Sequence, residues 1–161
     1  MAGTYADAVR RVLIGRVLVT TDAATVLVGS FLPWLRSGTR HRNSYDIFSL
    51  VDRIGYSPDG PVGWALRLWP ALPLLLAAAL TLLWWSGREA AGAAVAAIAA
   101  IYAGVVSIAV RASSPTGLVA AEYGPWVTLA GAISLLAGAA VTIATTRDAA
   151  TPRAGPWDGR S

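Results

Sequence analysis

The sequence predicts an all-α integral membrane protein: four antiparallel transmembrane helices in a bundle, with one long extracytoplasmic loop that contains a short amphipathic helix. Hydrophobic residues make up 55% of the 161 residues and charged residues only 14%, which is more apolar surface than a soluble domain of this size can bury. The apolar residues also fall into runs near the ~20 residues needed to cross a bilayer. These runs define the predicted spans, at about 17–32, 68–85, 90–110 and 126–144.

Residues 1–16 form a predicted amphipathic lead-in, continuous with the first span. Thr4 and Asp7 have the spacing of a helix cap, and apolar residues follow at helical intervals. The first span carries Asp22 about a turn and a half inside its end. An acid within a span is costly and points to a functional or paired group. The expected partner is Arg88, in the hairpin on the same side.

The loop 33–67 is the longest polar stretch and holds five of the thirteen arginines and the only histidine. Within it, Asn43 and Asp46 can cap a helix that ends at Gly55 and has one apolar side. Such a helix would lie flat on the membrane or across the mouth of the bundle. The loop is therefore the expected binding surface for a partner or lipid, through Arg36, Arg40, His41, Arg42, Tyr45, Phe48 and Arg53.

The remaining spans carry two recurrent features. Small residues at four-residue intervals let helix backbones approach closely in lipid, and the predicted packing residues are Gly92, Ala96, Ala100, Gly104, Ser134 and Gly138. Tryptophans flank the spans as expected of interface anchors, and the predicted anchors are Trp34, Trp64, Trp69, Trp84, Trp85 and Trp126. Residues 145–161 are rich in Pro, Gly and Arg and predict a disordered tail.

Four spans place both termini on one side of the membrane. That side carries seven arginines and the opposite side six, so the positive-inside rule decides only narrowly for cytoplasmic termini and an external loop. The expected location is a cell membrane, crossed four times.

The residue inventory argues against most catalytic and cofactor chemistry. The chain has no cysteine and one histidine, so a zinc site of the usual kind is not expected, and no cofactor is predicted. Glu89 and Glu122 fall in loops on opposite faces and cannot form a carboxylate pair. The arginines are scattered between membrane segments rather than gathered on one soluble face, which argues against nucleic-acid binding.

Three functions fit these features. The leading hypothesis is a non-catalytic accessory or assembly subunit of a cell-envelope complex, which docks another membrane or envelope protein, a second copy or anionic lipid through the arginine-rich loop. The second is a small oligomeric transporter or channel for ions or protons that uses Asp22. The third is an enzyme acting on lipid headgroups, with the loop arginines and His41 holding phosphate near Asp46.

Two short motifs also carry a resemblance. Leu32-Pro33-Trp34 with Ser37-Gly38 follows the first span, and Gly124-Pro125-Trp126 with Leu129 and Gly131 opens the last. In these motifs and in its span layout, the chain resembles the small tryptophan-rich four-span membrane proteins of actinobacteria, including the tryptophan-associated transmembrane proteins. The resemblance implies a bacterial envelope location, and for a chain with these spans this is the inner membrane. It implies no reaction and no catalytic residue.

Overall fold

The computed structural model describes residues 2–53, 61–85, 87–112 and 119–150. Six helices and three short strands make up this part of the chain. In chain order they are α1 (Ala2–Phe31), β1 (Leu35–Ser37), β2 (Arg40–Arg42), α2 (Ser44–Arg53), α3 (Pro61–Leu68), a 3-10 turn (Trp69–Ala71), α4 (Leu72–Trp84), α5 (Glu89–Ala112), β3 (Val119–Ala121) and α6 (Gly124–Ala150).

Among the described residues, three helices are long and apolar enough to cross a membrane. They are Val9–Phe31, Glu89–Ala112 and Gly124–Arg147, and they correspond to the first, third and fourth predicted spans. This length and composition indicate a membrane protein. The second predicted span is a shorter apolar helix, Trp69–Trp84. Its first turn is 3-10 because Pro70 and Pro73 have no N–H to donate.

The predicted domain boundaries differ from the helix ends. The lead-in 1–16 and the first span form the single helix α1, so the boundary at 16 falls inside a helix. At the other end, α6 continues to Ala150, six residues beyond the predicted end of the last span at 144. Residues 54–60, which include the predicted helix end at Gly55, and residues 151–161 of the predicted tail lie outside the described part of the chain.

Helix α6 lies between α1 and α5, and α4 packs along α5. The seam between α1 and α6 is antiparallel and very close. A Cβ added to Gly29 would lie 2.6 Å from the backbone nitrogen of Thr128, and one added to Gly15 would lie 2.9 Å from Oγ1 of Thr142. Glycine at these positions lets the two backbones approach, as expected for helices that associate in lipid.

The predicted small residues of α5 also lie at helix contacts. Gly92, Ala96, Ala100 and Gly104 are all buried. A Cβ on Gly92 would lie 2.8 Å from the backbone oxygen of Ala79 in α4, so α4 and α5 touch through their backbones. In α6, Gly138 is buried against α1, whereas Ser134 lies on the outer edge of that seam.

A three-stranded antiparallel sheet, in the order β2-β1-β3, joins two connections that are far apart in sequence. Leu35 of β1 pairs with Arg42 of β2 and with Ala121 of β3. The two-residue turn between β1 and β2 contains Gly38 at φ 60°, a conformation that favours glycine. The all-α prediction did not include this sheet.

Candidate functional site: the arginine-bearing cap

The end of the bundle where α1 stops and α6 starts is closed by a structure that we call the cap. It consists of β1, β2, β3 and α2, together with Trp34 and Trp69, whose rings pack beneath them. Trp34, between α1 and β1, is fully buried at its centre. Its indole Nε1 donates to the backbone oxygen of Gly29 at 2.9 Å, and its backbone N–H donates to the oxygen of Arg42 at 2.8 Å. The backbone of Gly124 packs directly against the same ring, since a Cβ added there would lie 2.3 Å from Cδ1 of Trp34. One residue therefore links α1, the hairpin and α6, through its side chain and its backbone N–H.

An aromatic cluster continues from Trp34 under helix α2. The ring centroids of Trp34 and Trp69 are 5.1 Å apart, those of Phe48 and Trp69 are 5.3 Å apart, and those of Trp69 and Tyr102 are 5.7 Å apart. Tilted and edge-on pairs at these distances are favourable for aromatic rings. The apolar side of α2 thus packs on the end of the bundle and seals it.

Polar groups within the cluster are satisfied by a relay of hydrogen bonds. Trp69 Nε1 donates to Oγ of Ser44 at 2.9 Å, and Ser44 Oγ donates to the backbone oxygen of Ser30 at 2.6 Å. Tyr102 donates its hydroxyl to the backbone oxygen of Ala65. Because buried polar groups are costly unless bonded, this relay fixes α2 and the start of α4 against α1.

Helix α2 begins as its sequence predicts. Asn43 Oδ1 accepts from the backbone N–H of Asp46 at 2.9 Å, and Asp46 Oδ2 accepts from the backbone N–H of Asn43 at 3.3 Å. This reciprocal pair satisfies two backbone donors at the helix start. It anchors α2 directly after β2, so the arginines of the hairpin are held close to the bundle.

The hairpin presents cations to the outside. Arg36 and His41 are opposite each other in the β1–β2 register and so share one face of the sheet. Arg36, Arg40 and His41 are exposed, and Arg42 is half-buried. Within the described residues none of these three arginines forms an ion pair, whereas His41 Nδ1 lies 2.9 Å from Oε1 of Glu122. The cap surface is therefore positively charged.

The seven predicted binding residues separate into two groups. The exposed charged group comprises Arg36, Arg40, His41 and Arg53, with Arg42 partly covered. The two aromatic residues, Tyr45 and Phe48, pack within the protein. Phe48 is buried in the aromatic cluster, and the ring of half-buried Tyr45 lies 4.9 Å from that of Phe31. Phe48 is therefore not available to a ligand, and the exposed members of the predicted set are all basic side chains.

The six predicted interface anchors also separate. Trp34 and Trp69 are fully buried in the cap, which removes them from any lipid interface, while Trp64, Trp84, Trp85 and Trp126 are exposed. The guanidinium of Arg111 lies 3.4 Å from the ring centroid of Trp126, and that of Arg16 lies 5.5 Å from the ring of Trp84. Cation–π pairs of this kind suit the boundary between acyl chains and headgroups.

Two acidic residues have partners that were not predicted. Glu89 pairs with Arg16 and so joins α5 to α1 at the end opposite the cap. Asp22 accepts a hydrogen bond from Ser134 Oγ at 2.8 Å, where the sequence suggested Arg88. Asp22 lies within the candidate membrane span Val9–Phe31.

The described residues contain no group of three histidine or acidic side chains that could hold a metal ion. In the same part of the chain His41 contacts the carboxylate of Glu122, and the histidine side chain is 54% exposed. Fold and site together define the class: a helical membrane protein whose bundle is closed at one end by a cationic cap. Comparisons with family models, curated proteins and solved structures found no match to this chain.

Proposed function

We propose that this chain is a non-catalytic accessory or assembly subunit in a bacterial cell membrane, and that its cap docks an anionic partner, either a protein surface or lipid headgroups. The observation that carries the proposal is the exposure of Arg36 and Arg40 on a firmly held hairpin, without an ion pair among the described residues. Guanidinium groups bind carboxylate and phosphate through planar bidentate hydrogen bonds. Because the hairpin backbone is already ordered, no loop has to be ordered when a ligand binds.

The proposal includes four crossings, with the cap outside and both termini in the cytoplasm. Helix α4 supports the fourth crossing, although it is short. It starts beside Trp69, which is stacked in the cap, and ends at Trp84, whose indole Nε1 donates to Thr20 of α1 at 3.1 Å. Helix α4 therefore extends from the cap toward the opposite end of the bundle. The excess of one arginine on the side of the termini favours cytoplasmic termini and an external cap.

Extraction in mild detergent, followed by mass spectrometry of co-purified proteins and lipids, tests the docking. We expect the double variant Arg36→Gln, Arg40→Gln to lose most of the bound protein or anionic lipid, by about tenfold. The matched control is Arg10→Gln, Arg11→Gln, which removes the same charge from exposed positions at the other end of the chain. This control should retain the partner.

Salt provides a second test of the same interaction. Raising the ionic strength from 0.1 to 1 M shortens the Debye length from about 10 Å to about 3 Å, which weakens contacts between exposed charges. Binding that ignores both salt and the two cap substitutions, or recovery of nothing but the isolated chain, would reject the docking function.

One observation favours a second candidate, a small proton- or ion-coupled carrier. Asp22 lies within the apolar part of α1 and bonds to a hydroxyl of α6, and intramembrane acids are common in ion pathways. In liposomes, Asp22→Asn should then abolish a proton- or ion-dependent flux that the unmodified chain supports. A flux unchanged by this substitution would remove Asp22 from any transport mechanism.

A further inference from the structure

The seam between α1 and α6 carries a carboxyl group on its outer edge. Asp22 is half-buried, and Ser134, which donates to its Oδ1 at 2.8 Å, is exposed. The second oxygen, Oδ2, lies beside Gly138, 3.5 Å from where a Cβ on that glycine would be. Within the described residues, Ser134 is the only hydrogen-bond donor to this carboxyl.

The depth of Asp22 decides what surrounds it. Along α1, it is about 9 Å from Arg16, which pairs with Glu89, and about 13 Å from Phe31 at the cap end. At that depth the outer face of the seam meets acyl chains, which supply no hydrogen-bond donors. A half-exposed carboxyl with one donor is therefore poorly satisfied in an isolated chain.

We propose that a second copy of this chain covers the site, so that two copies associate in the membrane through their α1–α6 seams. Copies inserted in the same orientation are related by a two-fold axis along the membrane normal, and this axis keeps every residue at the same depth in both. Asp22 of one copy then lies level with Asp22 and Ser134 of the other. A carboxyl that needs donors thus meets a surface that supplies hydroxyls.

The residues around the site support this occupant. Thr21, directly before Asp22, is exposed, and its hydroxyl can donate to the carboxyl of the facing copy. On α6, the exposed residues beside Ser134 include Ala130 and Ala137, whose small side chains allow close approach. The patch contains both donors and an acceptor and so is complementary to itself, with no need for a cation from a different protein.

Cysteine cross-linking tests the contact directly, because the chain contains no cysteine. Ala137→Cys places a thiol on the proposed face. Ile101→Cys is the matched control, since it is exposed on α5 within about 3 Å of the same depth. Each purified variant is reconstituted in phosphatidylcholine vesicles and oxidised with copper phenanthroline. We expect a disulfide-linked dimer from Ala137→Cys and little from Ile101→Cys.

The role of the carboxyl is tested in the Ala137→Cys background. We expect Asp22→Ala to lower the cross-linked fraction by about three- to tenfold, as measured for single interhelical hydrogen bonds in membranes. Asp22→Asn, which keeps an acceptor oxygen for these hydroxyls, should stay within about twofold of the parent. Trypsin resistance of the cap checks that each variant is folded.

Three outcomes would overturn the proposal: equal cross-linking at positions 137 and 101, no effect of Asp22→Ala in a folded variant, or cross-links from position 137 to a different protein in native membranes. The comparison of the two cysteine positions needs no change at Asp22 and so stands even if the alanine variant fails to fold. The vesicles contain no anionic ligand for the cap. Failure of the cross-linking test therefore does not contradict the docking function. Failure of the docking experiment likewise does not contradict the dimer.

Discussion

Gly124 is the position where a single added carbon should disturb the cap most. In Gly124→Ala, the new Cβ would lie 2.3 Å from Cδ1 of Trp34 and 2.6 Å from the backbone oxygen of Pro33. The Trp34 side chain cannot move away easily, because it is fully buried and its indole N–H donates to the backbone oxygen of Gly29. Overpacking of this kind costs about 1–3 kcal/mol, and a lost indole hydrogen bond would add about 1 kcal/mol.

The assay is unfolding of the purified protein in mixed micelles, followed by tryptophan fluorescence, together with tryptic cleavage at the cap arginines. We expect Gly124→Ala to lower the free energy of unfolding by about 2–4 kcal/mol and to speed cleavage of the cap. The matched control is Gly104→Ala. Its Cβ would meet Leu129 and Ala132 at ordinary distances of 3.8 and 3.9 Å, and helix propensity favours alanine there by up to about 1 kcal/mol. Equal stability of the two variants would refute the packing argument.

Three further predictions concern other contacts. Gly92→Ala should loosen the α4–α5 hairpin and lower the unfolding free energy by about 1–3 kcal/mol, because its Cβ would lie 2.8 Å from the α4 backbone; unchanged stability would show that the backbones can move apart. Glu89→Gln should destabilise more than the double change with Arg16→Gln, since the single change leaves a partly buried guanidinium unpaired; a double-mutant cycle with no coupling would contradict this. His41→Ala should cost less than about 1 kcal/mol, because the histidine that contacts Glu122 is 54% exposed, and a larger loss in thermal unfolding would assign that contact a structural role.

The three long helices were predictable because hydropathy is a local property. Each predicted span needs only a run of apolar residues, and α1, α5 and α6 have such runs. The start of α2 was predictable for the same reason, since Asn43 and Asp46 are three residues apart and form their cap without help from the rest of the chain. The second predicted span is not among the three long helices, because prolines near its start shorten its α-helix.

The sheet and the cap core were not predictable in this way. Strands of three residues are too short for a periodic pattern to be visible, and β1 pairs with β3, which comes more than 80 residues later in the chain. The burial of Trp34 and Trp69 could not be predicted from the neighbouring residues either. The sequence around a tryptophan beside an apolar run is the same whether its side chain faces lipid or the bundle. His41 and Glu122 come close because β2 and β3 both pair with β1. Their contact could not be predicted from the sequence without that pairing.

The sequence by itself determined that lipid is the solvent of this protein and that its longest polar connection is rich in arginine, since both follow from composition summed along contiguous residues. The tertiary structure decided which tryptophans are core, which arginines remain exposed, and that Asp22 meets Ser134 instead of a cation. The physical reason is that such contacts depend on the rotation and register of each helix. Those are set where backbones touch, as at Gly29 and Thr128 in the α1–α6 seam.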